Sequence, residues 1–590
     1  MCGIIGYVGN RNAAEVLFNG LKKLTYRGYD SWGFGFKTEN GIEIIKGVGD
    51  IENSQCTKLN RINANIGISH TRWATHGEVN YQNAHPHLCC SGKIAVVHNG
   101  IIENYQDLKK ELIKKGHKFS SDTDTEVIPH LIEENYKKTN NFFEAAKNSS
   151  KILKGCYAFV AMHKDFDGLV GIKDGPPLMI GINGNEQFIA SDVVAFMDHA
   201  KDVIYIDDKE MAIIRNNRVE IINTKTDNKI EKQTRRLIWD ISQASKLGYD
   251  HYMLKEILEQ PTVIKQALAQ DKDLLMDVAL EILRANQVVF TACGTSRYAA
   301  LIGRYLFSKL AGKFCDVIMA SEFHYFVDSI NKNTLVIAIS QSGETADVIE
   351  GVKKAKESGA KIVSIVNIVD SSLARMSDKV IYINAGPEIC VAATKTFTNQ
   401  LVILYLLAFA MANKLNEGYE KIYEISNKIE QTIKENYSNL KDIAKRVKDK
   451  NDFYYIGRGI NFAMASEGAL KLKEISYAHA EGMPAGELKH GTIALIEKGT
   501  PVISICPKDY TFYETLSNLL ETKARGSYVI GVSDENNEAF DAWIMIPKVE
   551  EIFYPLVVVI PLQLFAYYIA VEKGKNPDKP RNLAKSVTVK

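Results

Sequence analysis

The chain has 590 residues, too many for one ordinary hydrophobic core, so about three domains are expected. Its 72 Lys and Arg against 71 Asp and Glu leave a net charge of +1, which argues against nucleic-acid binding or an anionic membrane surface, since both need a basic excess. Nine cysteines, an odd number with no CxxC pair, fit free thiols in a reducing, cytoplasmic setting and not a disulfide framework.

The chain opens Met1-Cys2-Gly3-Ile4-Ile5-Gly6. Removal of Met1 would leave a residue carrying a thiol and a free α-amine, with pKa values near ~8.5 and ~7.7–8.0. One residue can then supply nucleophile and base. Read alone, Cys2 is equally a small residue opening a buried strand. Arg11 and Glu15 interrupt any apolar start, so no signal peptide is expected. Up to about residue 240 the pattern is strand-rich with short helices. Ile4–Val8, Ile42–Ile45, Ile66–Ser69, Ile94–Val97, Tyr157–Met162 and Phe188–Ala190 read as strands, and Ala13–Leu24 and Asn104–Lys115 as helices. An α+β sandwich follows.

Polar residues gather at strand ends here. A thiolate attacking an amide needs oxyanion donors, which the Asn99 side chain and the Gly100 N–H can supply. An amino-acid substrate needs a cation for its carboxylate and an anion for its ammonium, and Arg72 and Asp124 carry those charges. Each has an ordinary alternative: a surface ion pair for Arg72, a tight turn for Asn99-Gly100, a helix cap for Asp124. Five of the 13 histidines fall between 70 and 98, but no metal-binding helix pair accompanies them. Cys89 and Cys90 read as packing residues, and no metal is expected.

Residues 223–250 are charged and lysine-rich and read as a linker. A helix over His251–Gln260 is expected to end at Pro261. Strands and helices then alternate. Val288–Ala292, Val317–Ala320, Leu335–Ile339, Ile362–Val366 and Val380–Ile383 form five apolar strands, as in a parallel sheet covered on both faces. The pattern recurs about 165 residues later, with Phe453–Ile456 and Thr500–Ile505 repeating the first and third strands, which indicates a duplicated domain. Ser340–Thr345 lies between a strand and a helix start, where hydroxyls and backbone N–H groups suit an anion, typically phosphate. Cys293–Ser296 is a second such turn, although plain helix capping explains both. No GxxxxGK[ST] motif is present. Lys471 and Glu474 share a helix face. Leu401–Ala412 is too short to span a membrane, and Ile552–Val571 reads as a buried strand plus helix. The tail from Pro580 is apolar and regular enough to dock.

Cys2–Gly6, Tyr26–Ser31, His70–Gly77, Asn83–His87 and His98–Asn104 resemble the class II glutamine amidotransferase family. That resemblance implies an N-terminal-nucleophile αββα domain with Cys2 as nucleophile and base. It also implies Arg72, Trp73, Thr75, His76, Gly77 and Asp124 in the glutamine pocket, and Asn99 and Gly100 as oxyanion hole. Trp32 departs from the small residue usual in the family at this place. Ala292–Ser296, Ser321–Phe323, Ser340–Asp347, Glu467–Tyr477, Ala485–Gly491 and Pro580–Val589 resemble a pair of sugar-isomerase (SIS) domains with flavodoxin-like sheets. The whole chain is thus similar to the glutamine–fructose-6-phosphate aminotransferase (isomerising) family. Its domains are expected at 2–222, 280–415 and 447–580, joined by the 223–250 linker, with 581–590 as a tail entering the sugar-phosphate site.

The resemblance implies a phosphate site of Ser296, Ser340, Gln341, Ser342 and Thr345, with Thr295 and Val391 nearby. It implies imine formation by Lys585, ring opening by His490, proton transfer between C1 and C2 by Glu474, and support of the sugar hydroxyls by Lys471. A carboxylate can shuttle a proton between adjacent carbons, and an amine beside anions can be tuned for an imine. A dry ammonia channel gated by Trp73 and a homodimer are implied too, with L-glutamine and D-fructose 6-phosphate as substrates and no cofactor. Ala393 replaces a usual hydroxyl. The alternatives are another class II amidotransferase and a sugar-phosphate-sensing SIS protein.

Overall fold

A computed structural model describes residues 2–53, 57–237 and 245–588. Expectations touching Met1, Cys56, residues 238–244 of the linker and residues 589–590 of the tail lie outside the described residues. The chain divides into two units, one of Met1–Ile241 with Ala584–Lys590 and one of Ser242–Leu583.

The first unit carries strands β1 (Gly3–Val8), β2 (Ser31–Thr38), β3 (Gly41–Val48), β4 (Ile66–Arg72), β5 (His87–Leu88), β6 (Ile94–Ile102), β7 (Gly155–His163), β8 (Leu169–Asp174), β9 (Met179–Asn183), β10 (Glu186–Ala190), β11 (Asp202–Tyr205), β12 (Glu210–Arg215), β13 (Arg218–Asn223), β14 (Lys229–Ile230) and β15 (Arg235–Arg236). Among the described residues they form two sheets, ordered β15-β11-β9-β10-β1-β4-β2-β3 and β14-β13-β12-β8-β7-β6-β5. Alternate residues sort to opposite faces, as strand geometry demands. Ala95, Val97, Ala158 and Val160 pack with Ile4, Val8 and Ile68 of the other sheet. Ile94, Val96, Phe159 and Ala161 pack instead under the helices Tyr105–Lys114, Val127–Thr139 and Phe142–Ser150. The helix Ala13–Lys23 covers β1 and β4. The result is the expected αββα sandwich. The span read as linker adds β14 and β15 to the sheet edges, where short charged strands discourage further pairing. Trp32 is accommodated because its cross-strand partner is Gly47, where any Cβ would lie 2.2 Å from the indole.

The second unit holds two five-stranded parallel sheets. The first comprises β16 (Gln287–Ala292), β17 (Asp316–Met319), β18 (Thr334–Ser340), β19 (Lys361–Val366) and β20 (Lys379–Tyr382), ordered β17-β16-β18-β19-β20. The second comprises β21 (Asp452–Gly457), β22 (His479–Pro484), β23 (Pro501–Ile505), β24 (Tyr528–Ser533) and β25 (Ala542–Met545), ordered β22-β21-β23-β24-β25. Both follow the flavodoxin-like order 2-1-3-4-5, so the duplication read from the sequence is a duplication of topology.

Two expectations need correction. Pro261 does not end the helix before it. That helix, Tyr252–Leu258, stops earlier, and Pro261 sits in the first turn of the next, Gln260–Ala267, where its missing N–H costs nothing. Residues 552–571 do not contain a strand. Ile552 and Phe553 lie in a 3-10 turn, and the rest belong to one helix, Tyr554–Glu572, with Pro555 in its first turn and Pro561 inside it. This helix is long and apolar enough to cross a membrane, yet 94% of its apolar window is buried against its own unit. A helix that is hydrophobic all round is what a large core requires.

Candidate active sites

Antiparallel pairing of β1 with β4 sets Gly3 against Thr71, which brings Cys2 to the end of β4. Gly28 allows the close approach, since a Cβ there would lie 2.8 Å from the Trp73 nitrogen. Cys2 Sγ accepts the Trp73 N–H at 3.3 Å and lies 3.5 Å from the Trp73 carbonyl. Burial pushes the Cys2 thiol above its ordinary range, while the chain's amino terminus, the Trp73 N–H and the Arg72 charge pull it down. The thiol therefore keeps its proton until a base removes it.

Asn99 Nδ2 donates to the Cys2 carbonyl at 3.0 Å. His70 controls the direction of this amide. Its Nε2 lies 2.9 Å from the His98 carbonyl, which can only accept, so Nε2 carries the proton. The same N–H faces Asn99 Oδ1 at 3.1 Å and so turns the amide nitrogen toward Cys2. Burial pushes the His70 pKa down to about 3, which keeps the ring neutral in this role. His70 in turn stacks on His85 at 4.1 Å, and His87 binds Thr123, so these histidines are packing groups around the site. Gly100 has φ +118°, and a Cβ there would lie 2.0 Å from the Cys156 carbonyl. Gly100→Ala is expected to lower the stability of this unit by about 2 kcal/mol or more, measurable by denaturant unfolding, and to misplace the adjoining amide.

Arg72 is buried and donates to the carbonyls of His76, Gly77 and Glu78, holding the 76–78 loop. Asp124 is also buried and accepts the Ile102 N–H at 2.7 Å. Burial lowers the Arg72 pKa, while Cys2, Asp30 and Asp124 all act to raise it, so these four groups share one electrostatic neighbourhood. Asp30 accepts the Ala74 N–H at 2.8 Å. Thr75 is exposed and Gly77 takes φ +77°. Cys2, Arg72, Trp73, Asn99, Gly100 and Asp124 are thus assembled, with Thr75, His76 and Gly77 on the loop beside them. His70 and Asp30 also belong to this site, although neither was singled out from the sequence.

In the second unit, β16 and β18 are neighbours, with Ala292 beside Ile339. Their outgoing loops therefore flank the crevice at the topological switch point. Ser340 Oγ bonds Thr345 Oγ1 at 2.9 Å and accepts the Gly343 N–H at 3.1 Å, which curls the loop before the helix Ala346–Glu357. Gly343 has φ +63°, and a Cβ there would lie 2.0 Å from Ser371 Oγ. The Ser342 hydroxyl accepts the Glu344 N–H, and the Gln341 carbonyl accepts the Asn367 N–H. Ser296 Oγ accepts from Gln400 at 3.0 Å. Val391 is buried, with its N–H bonded to the Asp578 carbonyl.

Thr295 links this crevice to the helix Ile460–Ser476. Lys471 Nζ donates to Thr295 Oγ1 at 2.9 Å and to Glu474 Oε2 at 2.6 Å, and lies 3.5 Å from Glu467 Oε1. Glu467, Lys471 and Glu474 sit at i, i+4 and i+7 on one face. Burial pushes the Glu467 carboxyl up to about 8, with Lys471 opposing. For Lys471, burial disfavours the ammonium, but Glu467 and Glu474 outweigh it and hold the pKa above the usual lysine range. Near neutrality the cluster thus holds one ammonium against Glu474, with a proton retained on Glu467. Folded Glu467 binds a proton that the unfolded chain has released between pH 4.5 and about 8, so stability falls as pH rises through that window. Glu467→Gln mimics the protonated form. Its thermal midpoint should match the wild type's at the acid end and exceed it increasingly toward pH 8.

His490 is exposed at the end of the short helix Glu487–His490, and among the described residues no hydrogen bond or ion pair joins it to this cluster. Lys585 is half-buried, and its segment groups with the first unit. The crevice between β21 and β23 differs from its counterpart. There the Asp509 carboxylate accepts the Thr511 N–H at 2.8 Å, the Thr511 hydroxyl at 2.7 Å and Asn461 Nδ2 at 2.8 Å.

A glutamine amidotransferase domain joined to paired SIS domains is the class of protein that this fold and these sites define. The glutamine amidotransferase domain family matches residues 70–198, and the SIS domain family matches residues 281–410 and 447–573. Over the full length of both chains, the sequence is 48% identical to the glutamine–fructose-6-phosphate aminotransferase [isomerizing] of Thermococcus kodakarensis and 45% identical to that of Methanothermobacter thermautotrophicus. The C-terminal domain of glucosamine-fructose-6-phosphate aminotransferase from Francisella tularensis superposes with a TM-score of 0.54 at 36% identity, covering 57% of this chain and 99% of that one. The chain belongs to the glutamine–fructose-6-phosphate aminotransferase (isomerizing) family.

Proposed function

We propose that the protein converts D-fructose 6-phosphate and L-glutamine into D-glucosamine 6-phosphate and L-glutamate, the first step of hexosamine synthesis. The observation that carries this reading is one chain holding both a terminal thiol seated against Asn99 and a Thr295–Lys471–Glu474–Glu467 cluster over a hydroxyl-lined crevice. Cys2, freed of Met1, attacks the glutamine amide, its own α-amine taking the thiol proton. The second Asn99 N–H and the Gly100 N–H receive the oxyanion. Arg72 and Asp124, with Trp73, Thr75, His76 and Gly77, hold the amino-acid end. Ammonia passes Trp73 to the sugar site without meeting bulk water. There Ser296, Ser340, Gln341, Ser342 and Thr345, with Thr295 and Val391, hold the phosphate. His490 opens the ring, Lys585 forms the imine at C2, and Glu474, oriented by Lys471, moves the proton between C1 and C2.

The SIS domains span 280–415 and 447–580 and the tail from residue 581 serves the sugar-phosphate site, while the first domain extends beyond residue 222 to include β14 and β15. The active form is a cytoplasmic homodimer without membrane attachment; burial of the helix Tyr554–Glu572 within its unit supports the last point. Incubation with both substrates should yield glucosamine 6-phosphate and glutamate one for one. Glutamate without amino sugar, under saturating ketose phosphate, would overturn the reading.

A further inference from the structure

Outside the glutaminase site, the first unit gathers Cys90, His117, His130 and Glu133, one ligand atom from each falling within 4.8 Å of all the others. They come from separate elements. Cys90 lies in the turn between β5 and β6, His117 follows the helix Tyr105–Lys114, and His130 and Glu133 are i, i+3 on the helix Val127–Thr139. His117 Nδ1 faces His130 Nδ1 at 3.1 Å, Cys90 Sγ lies 3.6 Å from His130 Nδ1, and Glu133 Oε2 lies 3.4 Å from His117 Nδ1. Zinc bonds of ~2.0–2.3 Å place tetrahedral ligand atoms ~3.3–3.8 Å apart; the three separations above, 3.1–3.6 Å, lie at or just inside that spacing, and the whole set lies within 4.8 Å. Without an ion the arrangement is poorly satisfied. Glu133 Oε2, on a side chain 8% exposed, is buried with no hydrogen bond, and the two imidazole nitrogens share a single proton.

The surroundings are those of a ligand shell. His117 Nε2 bonds Glu134 Oε1 at 2.9 Å, the carboxylate–histidine arrangement that fixes a ligating tautomer. His130 Nε2 faces Glu126 Oε1 at 3.7 Å. Glu133 Oε1 is held by the Ser91 N–H at 2.9 Å, and Cys90 Sγ accepts the Lys118 N–H at 3.2 Å. Cys90 is exposed while the other three are buried, which leaves an entry path for the ion.

We propose that Cys90, His117, His130 and Glu133 form a structural zinc site. Cys90 gives up its thiol proton to solvent on binding, and with all four positions taken by protein the site is closed to chemistry. The ion ties the β5–β6 turn to the stretch from His117 to the helix that starts at Val127. That stretch carries Asp124, so the metal braces the glutamine pocket from behind.

Full-length protein stripped with chelator and titrated with zinc alone should take up one ion per chain at this site and gain roughly 5 °C or more in the thermal midpoint of the first unit. Cobalt(II) should give the visible absorption of a tetrahedral thiolate site, and Cys90→Ser should lose its thiolate band. Glu133→Gln, which keeps the shape, should weaken zinc uptake at least tenfold while Cys2-dependent glutamine hydrolysis persists. No stoichiometric uptake by the wild type, or uptake unchanged in both variants, would overturn the proposal.

Discussion

Cys2→Ala abolishes glutamine hydrolysis, by ~10⁴-fold or more, because no other group can form the acyl intermediate. Its neighbours stay in place: the Trp73 N–H loses its sulfur acceptor, but Asn99 still meets the residue-2 carbonyl, which the substitution retains. The sugar-phosphate isomerisation of the same variant should persist, since every side chain assigned to it lies elsewhere in the chain. Glutamate release and ketose–aldose interconversion, measured on one preparation, separate the two steps; loss of both would contradict independent sites. The same reasoning makes Met1 decisive. A preparation that retains Met1 should lack glutaminase activity, and mass spectrometry of active protein should show Cys2 first.

Glu474→Gln has the second large effect, a fall of ~10²–10⁴-fold in amino-sugar formation and in isomerisation, with glutamine hydrolysis retained. Glu474 is the outer carboxylate of its cluster: its side chain is 20% exposed, while Glu467 is 1% exposed. Lys471 donates to Glu474 at 2.6 Å, so the two carboxylates have different tasks. Glu474, the more exposed carboxylate and hydrogen-bonded to Lys471, is placed to accept a carbon-bound proton. Glu467 keeps its own proton and anchors the lysine. Glutamine at 474 keeps the shape and the hydrogen bond but cannot take the proton. If Glu474→Gln turned over fructose 6-phosphate at the wild-type rate, the proton transfer would belong to another group.

The short β-branched and aromatic runs Ile4–Val8, Ile94–Val97 and Tyr157–Met162 made the sandwich legible, because one face of each strand meets the other sheet and the opposite face meets helices. The five apolar runs after residue 287, alternating with helices, made the parallel sheets legible for the same reason, burial on both faces. What escaped notice depended on tertiary context. The β-branched run Val557–Ile560 favours strand by propensity, but burial on every side holds it helical. The two-residue strands β14 and β15 are charged and carry no periodicity at all. At the first site, Cys2, Asn99, Arg72 and Asp124 drew attention through their chemistry and the motifs around them, and the structure brings them into one neighbourhood. His70 was not, since its part is to aim an amide through one N–H, a role that only the fold defines. The Cys90–Glu133 cluster was hidden because its ligands are drawn from three stretches that no spacing rule connects.

Asp509 occupies, in the second SIS sheet, the loop position that Gly343 holds in the first, and its carboxylate takes up the Thr511 N–H and hydroxyl of its own loop and the Asn461 amide of the helix Ile460–Ser476. The duplicated half thus carries a tethered counterfeit of an anion. A phosphate approaching it would find these donors already engaged. Two nominally equivalent crevices therefore act as one. The second half instead contributes the helix Ile460–Ser476, which presents Glu467, Lys471 and Glu474 to Thr295 of the first.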